Sequence, residues 1–367
     1  MKNSFGNSVA ITIFGESHGK MIGAILDGLA PGIPVDEDFI VSQMAARRSV
    51  ASLSTARRED DKVLIVSGVV DGITTGTPIT FIIENADTRS GDYESMRSIA
   101  RPGHADYTAY AKYHGFNDIR GGGHFSGRIT AGLVAAGAVA LTTLKSLGIE
   151  ICTHIQSCAG IYDRDFGNLK EDMALLAGRD FAVLDEKKGG KMRAAIEKAR
   201  SEGDSVGGRL ETVITGFPAG VGEPWFDTLE GQLAHMLFSI PAIKGVEFGD
   251  GFALADMMGS SANDPFYAEN GEIKTATNHN GGILGGISCG TPMLLRCAVK
   301  PTPSIYKEQQ TVNFKTCENT PLQIRGRHDP AIVHRARVVV DSAVALVLCD
   351  ALAMRYGTDY LAGGDRK

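Results

Sequence analysis

Two long apolar stretches constrain this chain most. Ser126 to Leu147 is unusually rich in alanine and glycine, and Pro330 to Tyr356 is largely apolar over a similar length. Both read as buried helices, the first packing closely against its neighbours and the second central. Neither offers the 18 or so apolar residues of a membrane span without charge or glycine punctuation. Each is entered through a similar polar turn, Gly123-His124-Phe125-Ser126-Gly127-Arg128 and Gly326-Arg327-His328-Asp329-Pro330. The likeness hints at an internally duplicated plan.

Around these helices the apolar runs are short and separated by glycine. Strands are expected at Val9 to Phe14, Met21 to Leu26, Lys62 to Val70, Pro78 to Ile83, Ile149 to Cys158, Arg209 to Thr215 and Pro292 to Val299. Further helices are expected at Asp36 to Arg48, with an acidic first turn and arginines at its end, and at Lys191 to Glu202 and Pro224 to Phe238. Strands come in pairs more than in strict βαβ alternation, which points to an α+β fold. Segments 160–190 and 258–280 are polar and irregular, and read as surface excursions. No linker divides the chain, so residues 1–360 are expected to form one domain, with 361–367 as a C-terminal tail.

The 367 residues are 43% hydrophobic, enough for a large core, and carry a formal net charge of −6. Such a balance lacks the basic footprint of a nucleic-acid-binding protein. Six scattered cysteines form no C-x-x-C pair, which excludes zinc-ribbon and thioredoxin readings and suits reduced thiols. No metal site is expected. The N-terminus has no apolar segment behind its charge, and a cytoplasmic location is the expectation.

Three features carry chemistry. Gly15-Glu16-Ser17-His18-Gly19 fits the G-x-S-x-G nucleophile elbow of serine hydrolases, but a helix should follow, and Lys20 to Leu29 is β-leaning and soon broken by Pro31. A plain glycine turn with a surface histidine is a second reading. The third is a polar turn that aims His18 into a cleft, where its near-neutral titration suits acid–base work. Next, Arg47, Arg48, Arg57, Arg58, Arg97, Arg101, Arg120 and Arg128 fall within a third of an acidic chain. Arg101-Pro102-Gly103-His104 and Gly127-Arg128 place guanidiniums beside turn glycines, as suits a substrate bearing phosphate and carboxylate. His104 near Arg101 is a catalytic candidate, while Asp329 before Pro330 has the pattern of a helix N-cap. Last, Lys300-Pro301-Thr302-Pro303-Ser304 and the glycines 281–282 and 285–286 could hold a planar ligand and its phosphate.

Taken together these segments resemble the chorismate synthase family across nearly the whole chain. The matching stretches, in order, are Phe14 to Gly19, Pro31 to Pro34, Arg101 to Asp106, Arg120 to Arg128, Gly222 to Pro224, Lys244 to Glu247, Gly281 to Ser288, Lys300 to Ser304 and Gly326 to Pro330. The resemblance implies helices packed between antiparallel sheets and a homotetramer. It implies a carbon–oxygen lyase of the shikimate pathway, in which 5-enolpyruvylshikimate-3-phosphate loses phosphate and a ring proton in a 1,4-elimination that needs reduced FMN. NADPH or a separate flavin reductase would supply the reducing power. By position it implies that His18 assists the departing phosphate, His104 manages flavin protonation and Asp329 takes part in removing the ring proton. Ser17, Arg47, Arg48, Arg101, Arg128 and Arg327 match substrate-binding positions. His124, Phe125, Ser126, Ala242, Gly285, Lys300, Pro301, Thr302, Pro303, Ser304 and again Arg327 match FMN-contacting ones. The chain departs from the family's pattern at Arg47-Arg48-Ser49-Val50, where many members continue Arg-Pro-Gly and carry another arginine downstream, leaving Arg57 as the substitute. It departs again at His124-Phe125-Ser126, where many have Arg-Ser-Ser, and at Asp341, where Glu is usual.

Overall fold

The computed structural model describes residues 2–48, 61–85, 98–324 and 328–364. The chain opens with strands β1 (Ser4–Phe5), β2 (Ala10–Gly15) and β3 (Met21–Asp27), then helix α1 (Glu37–Arg47), strand β4 (Val63–Ser67), a small β5–β6 ladder (Val69–Val70, Ile73–Thr74) and β7 (Ile79–Glu84). After α2 (Asp106–Tyr113) and α3 (Thr130–Ser146) come β8 (Glu150–Cys158), β9 (Ile161–Tyr162), α4 (Leu169–Leu176), α5 (Glu186–Ser201), β10 (Gly208–Thr215), α6 (Leu229–Ser239) and β11 (Ile243–Phe248). The remainder is the short α7 (Gly259–Ala262), the hairpins β12–β13 (Phe266–Glu269, Glu272–Thr275) and β14–β15 (Ile283–Leu284, Ile287–Ser288), strand β16 (Met293–Val299), a third hairpin β17–β18 (Gln309–Asn313, Glu318–Leu322) and α8 (Val333–Tyr356).

Two five-stranded antiparallel sheets flank the central helices, as an α+β reading requires. Their strand orders are β1-β2-β3-β7-β4 and β11-β16-β10-β8-β9. Alternation along β3 and β7 sends Ile22, Ala24, Leu26, Ile79, Phe81 and Ile83 to one face, and all six are buried. Helix α3 lies on that face, α8 lies on β8 and β10 of the other sheet, and the two helices pack on each other. Thus α3 and α8 form the middle of the molecule. The helix Gly127–Ser146 has the length and composition of a membrane span, yet here most of it is buried inside this sandwich.

Several boundaries differ from the sequence reading. Helix α6 starts at Leu229 rather than Pro224, because Thr228 Oγ1 caps the Gly231 N–H at 2.9 Å. Helix α5 starts at Glu186 rather than Lys191, with Asp185 accepting from the Lys187 and Lys188 N–H groups. Asp329 is not the cap of α8. That helix begins at Val333, and the Asp329 carboxylate pairs with Arg335 on its first turn. The polar segment 160–190 contains α4 and a satellite core of Leu176, Ala182 and Leu184.

The same excursion is fastened by a buried charge cluster on the far side of the second sheet. His154 is fully buried between Glu211 (Nε2 to Oε2, 2.9 Å) and Asp163 (Nδ1 to Oδ2, 3.2 Å). Glu211 also accepts from Arg296 Nε at 2.8 Å, and Asp163 Oδ1 accepts the Asp185 N–H at 2.8 Å. Burial alone pulls the imidazolium pKa down, but hydrogen bonds to Asp163 and Glu211 and their charges outweigh it, holding His154 above its ordinary value. Its contribution to stability is therefore full below about pH 6.5, the unfolded value, and is lost as pH rises through the higher folded value. Resistance of the wild type to urea should weaken over that rise, while His154→Gln, destabilised by about 3–5 kcal/mol, should lack the step. Parallel pH curves for the two proteins would contradict a charged His154.

Candidate active site

The turn after β2 and the glycine-rich turn before α3 are built onto one another. Residues Gly121, Gly122 and Gly123 have φ of +59°, +88° and +55°, a left-handed run that side chains resist. A methyl group on Gly121 would lie 2.1 Å from His18 Cε1, and one on Gly122 would lie 3.4 Å from His104 Cε1 and Nε2. One glycine turn therefore has His18 against one residue and His104 against the next. The Ser17 N–H donates to Gly123 O at 3.1 Å, and His124 Nδ1 donates to Gly15 O at 2.8 Å, locking the two turns together.

Ser17 is wholly buried, with its Oγ 3.1 Å from both Arg120 O and Gly121 O and 3.0 Å from His18 Nδ1. A hydroxyl has one proton to give. Donated to a carbonyl, it leaves the oxygen to accept from His18 Nδ1–H. The nucleophile-elbow reading fails on topology as well. No helix follows Gly19; β3 follows and pairs back antiparallel on β2.

His104 stands in a second cluster with Arg101 and Asp106. The Asp106 carboxylate accepts from Arg101 Nε and Nη2, both at 2.7 Å, from the Arg101 N–H at 3.0 Å and from His104 Nδ1 at 2.8 Å. Burial would raise the Asp106 pKa, but these bonds and charges hold it far below the usual carboxylate range. Lys300 Nζ donates to Gly103 O, and a methyl on Gly103 would meet Pro303 Cβ at 3.4 Å. Lys300 N–H in turn donates to Ala242 O at 2.9 Å, with Ala242 at φ +76°. Ser205 Oγ donates to Thr302 O at 2.7 Å, and Ser304 is buried. Segment 300–304, Ala242 and the Arg101–Asp106 turn thus form one unit. A cleft beside it is lined by His104, Asp106, Asn117, Asp118, Gly122 and Phe125.

The third cluster is buried arginine. Arg47, the last residue of α1, and Arg128 both grip Asp61, the former through Nη2 at 2.7 Å. Burial lowers the Arg47 pKa to about 10, with Arg335 and Arg128 adding to the fall and Asp61 opposing it, so the guanidinium stays charged at neutral pH. Arg335 donates to Arg47 O at 3.0 Å and pairs with Asp329. Arg128 Nε also donates to Asn85 Oδ1 at 3.1 Å, and Asn85 Nδ2 donates to Glu16 O and Gly19 O at 3.1 and 2.9 Å. Asn85 therefore ties the arginine cluster to the His18 turn. His328 lies near Arg101 and Asp329. Its pKa is lowered by burial first and by Arg101 next, with Asp329 opposing.

Most of the residues singled out from sequence fall in these three connected clusters. Arg48, the C-cap of α1, is half-buried beside Arg47. Ser126 caps the turn into α3 by accepting the Arg128 N–H at 3.3 Å, and Phe125 meets Tyr113 edge-on with ring centroids 6.1 Å apart. Gly285 sits in the two-glycine turn of the β14–β15 hairpin, both glycines at positive φ. Arg327 and the arginines at 57, 58 and 97 lie outside the described residues. Asp61, Asn85, Asp106 and Arg335 were not singled out in the sequence. Only Asp106 carried a signal, its place two residues after His104.

Two imidazoles around one glycine turn, joined to a set of guanidiniums, define an enzyme site suited to anion binding and proton transfer. The comparisons agree. The family model described as chorismate synthase matches residues 9–353. Chorismate synthases of Thermococcus gammatolerans and Dehalococcoides mccartyi are 47% and 48% identical, covering 95% and 97% of this chain and 97% and 98% of theirs. That of Lachnoclostridium phytofermentans is 49% identical over 95% of each chain. A crystal structure of chorismate synthase superposes with a TM-score of 0.76 at 28% identity, covering 96% of this chain and 94% of that one. The chain belongs to the chorismate synthase family, and its activity is that of a carbon–oxygen lyase.

Proposed function

We propose that this chain converts 5-enolpyruvylshikimate-3-phosphate to chorismate by 1,4-elimination of phosphate and a ring proton, in the shikimate pathway, with reduced FMN as cofactor. The observation that carries the reading is the pairing of His18 and His104 across Gly121 and Gly122. His18, held by Ser17 at Nδ1, hydrogen-bonds the departing phosphate. Arg47, Arg48, Arg101, Arg128 and Arg327 neutralise the substrate's phosphate and carboxylate groups, as guanidiniums do bidentately. Asp329, oriented by Arg335, receives the ring proton, and His104 governs protonation at the cofactor.

The donor set fits a flavin phosphate and ring. Thr302 Oγ1 is buried without a hydrogen-bond partner among the described residues, Lys300 brings an amine to the same unit, and Ala242 supplies a backbone bend beside it. His124, Phe125, Ser126, Pro301, Pro303, Ser304 and Gly285 complete the proposed contacts. Reduced FMN, when bound, supplies electron density to the substrate and takes it back, so the overall reaction is redox-neutral. NADPH or a separate flavin reductase would provide the reduced cofactor. The reading extends to a homotetramer in the cytoplasm. Exposed Trp225, Phe226 and Phe252 are aromatic surface that an assembly could cover.

The test is an anaerobic assay with chemically reduced FMN, following chorismate absorbance. His18→Ala and His104→Ala should each lower turnover by roughly 10²- to 10⁴-fold and weaken FMN binding far less. Clean flavin binding with no product would overturn the proposal.

A further inference from the structure

The geometry points to Asp106 as the positioning residue for His104, fixing the proton on Nδ1 and presenting Nε2 to the cleft. This rests on the reading that His104 works in the site, and adds how it is held.

An ionised carboxylate can only accept. Asp106 Oδ1 is 2.8 Å from His104 Nδ1, so that nitrogen carries a hydrogen. Arg101 Nη2, 3.1 Å from the same nitrogen, has only hydrogens to offer and cannot bond to it. The short distance between them arises because both aim at Oδ1, which Arg101 Nη2 reaches at 2.7 Å. Arg101 also fills Oδ2 through Nε and its own N–H, so the carboxylate cannot rotate away from the imidazole. Beyond Nδ1, the Cε1–Nε2 bond of the ring faces Gly122, where an added methyl would lie 3.4 Å from both atoms. Gly122, Phe125, Asn117 and Asp118 line the cleft with His104 and Asp106. A side chain at position 122 would cover that edge, and glycine leaves it open.

The charged and titratable groups around His104 are Arg101 and Asp106 from its own turn, Asp118 across the cleft, Lys300 at Gly103 O, and His328, which feels Arg101. Of these, Asp106 and Arg101 meet the imidazole directly in the distances above. The carboxylate thus sets the tautomer, and the guanidinium sets the carboxylate.

Nitrogen-15 NMR of the imidazoles, assigned with His104→Gln, should show neutral His104 as the Nδ1–H tautomer in the wild-type enzyme. Finding Nε2–H in the wild-type enzyme would overturn the inference, whether or not Asp106→Asn folds. Asp106→Asn should lower kcat on the order of 10²-fold with a much smaller change in KM, displace the pH profile of kcat, and mix the His104 tautomers. Because Asp106 acts through His104, the Asp106→Asn/His104→Ala double variant should be no slower than His104→Ala. Multiplying losses would show that Asp106 acts by another route and would overturn the positioning role. Near-wild-type turnover in His104→Ala alone would instead sink the acid–base reading of His104, so the two failures are distinguishable.

Discussion

Gly121→Ala is expected to cost turnover nearly as much as removing the His18 imidazole, roughly 10²-fold, while the protein still folds. The added methyl would sit 2.1 and 2.2 Å from His18 Cε1 and Nδ1 and 2.7 Å from Ser17 Oγ. No real Cβ tolerates such distances. His18 is 8% exposed and Ser17 not at all, so the ring must swing out of its bond with Ser17. The left-handed backbone adds about 1–2 kcal/mol of strain, small beside the stability of a core this large. The expected signature is a collapse of kcat with a melting temperature lowered by only a few degrees. If Gly121→Ala keeps wild-type kcat, His18 either does not act or is not where the turn places it.

Much of this architecture was legible because burial leaves a mark on composition. The Ala- and Gly-rich run ending at Leu147 and the apolar run from Pro330 announced two interior helices, and the short apolar runs Met21 to Leu26 and Pro78 to Ile83, bounded by turn residues, announced strands. Helix starts were less legible. At Lys191, the pair Gly189-Gly190 reads as a breaker, whereas Asp185 caps the helix and Gly189 fits against Val183. Asp329 shows the converse error. Its sequence is that of an N-cap, but an arginine in the helix's first turn takes the carboxylate instead.

The site divides along the same line. His18, His104 and the arginines stood out because their types are chemically marked and sit beside glycines. Asn85 and Asp61 did not, since a lone amide and a lone acid have no local pattern. Their roles depend on chain segments distant in sequence: Asn85 bridges the Glu16–Gly19 turn to Arg128, and Asp61 joins Arg47 to Arg128. Burial raises the Asp61 pKa on its own, but the two guanidiniums outweigh it and hold the carboxylate ionised, its pKa below the ordinary value. Long-range pairing of this kind is invisible to spacing, and it is what converts scattered arginines into one buried cluster.

Where α3 crosses α8, Gly137→Ala should be strongly destabilising, while the same change at Gly190 should stabilise. In a helix interior, Gly to Ala gains about 1 kcal/mol from propensity alone. At Gly190, on the exposed side of α5, no atom lies within 4 Å of the added methyl, so that gain should appear in full. At Gly137 the methyl would lie 2.2 Å from Ser342 Cβ and 2.6 Å from Ser342 Cα. Those atoms belong to the body of α8, and no rotamer change moves them. The helices must part, and both are packed on sheets that would have to follow, so a loss of about 3 kcal/mol or more is expected. Ser342→Gly should recover part of it in the double variant by removing the Cβ, but not all, because the Cα remains. Chemical denaturation of the four proteins reads the result. Equal stabilisation at 137 and 190 would mean that α3 and α8 do not approach as closely as Gly137 and Ser342 place them.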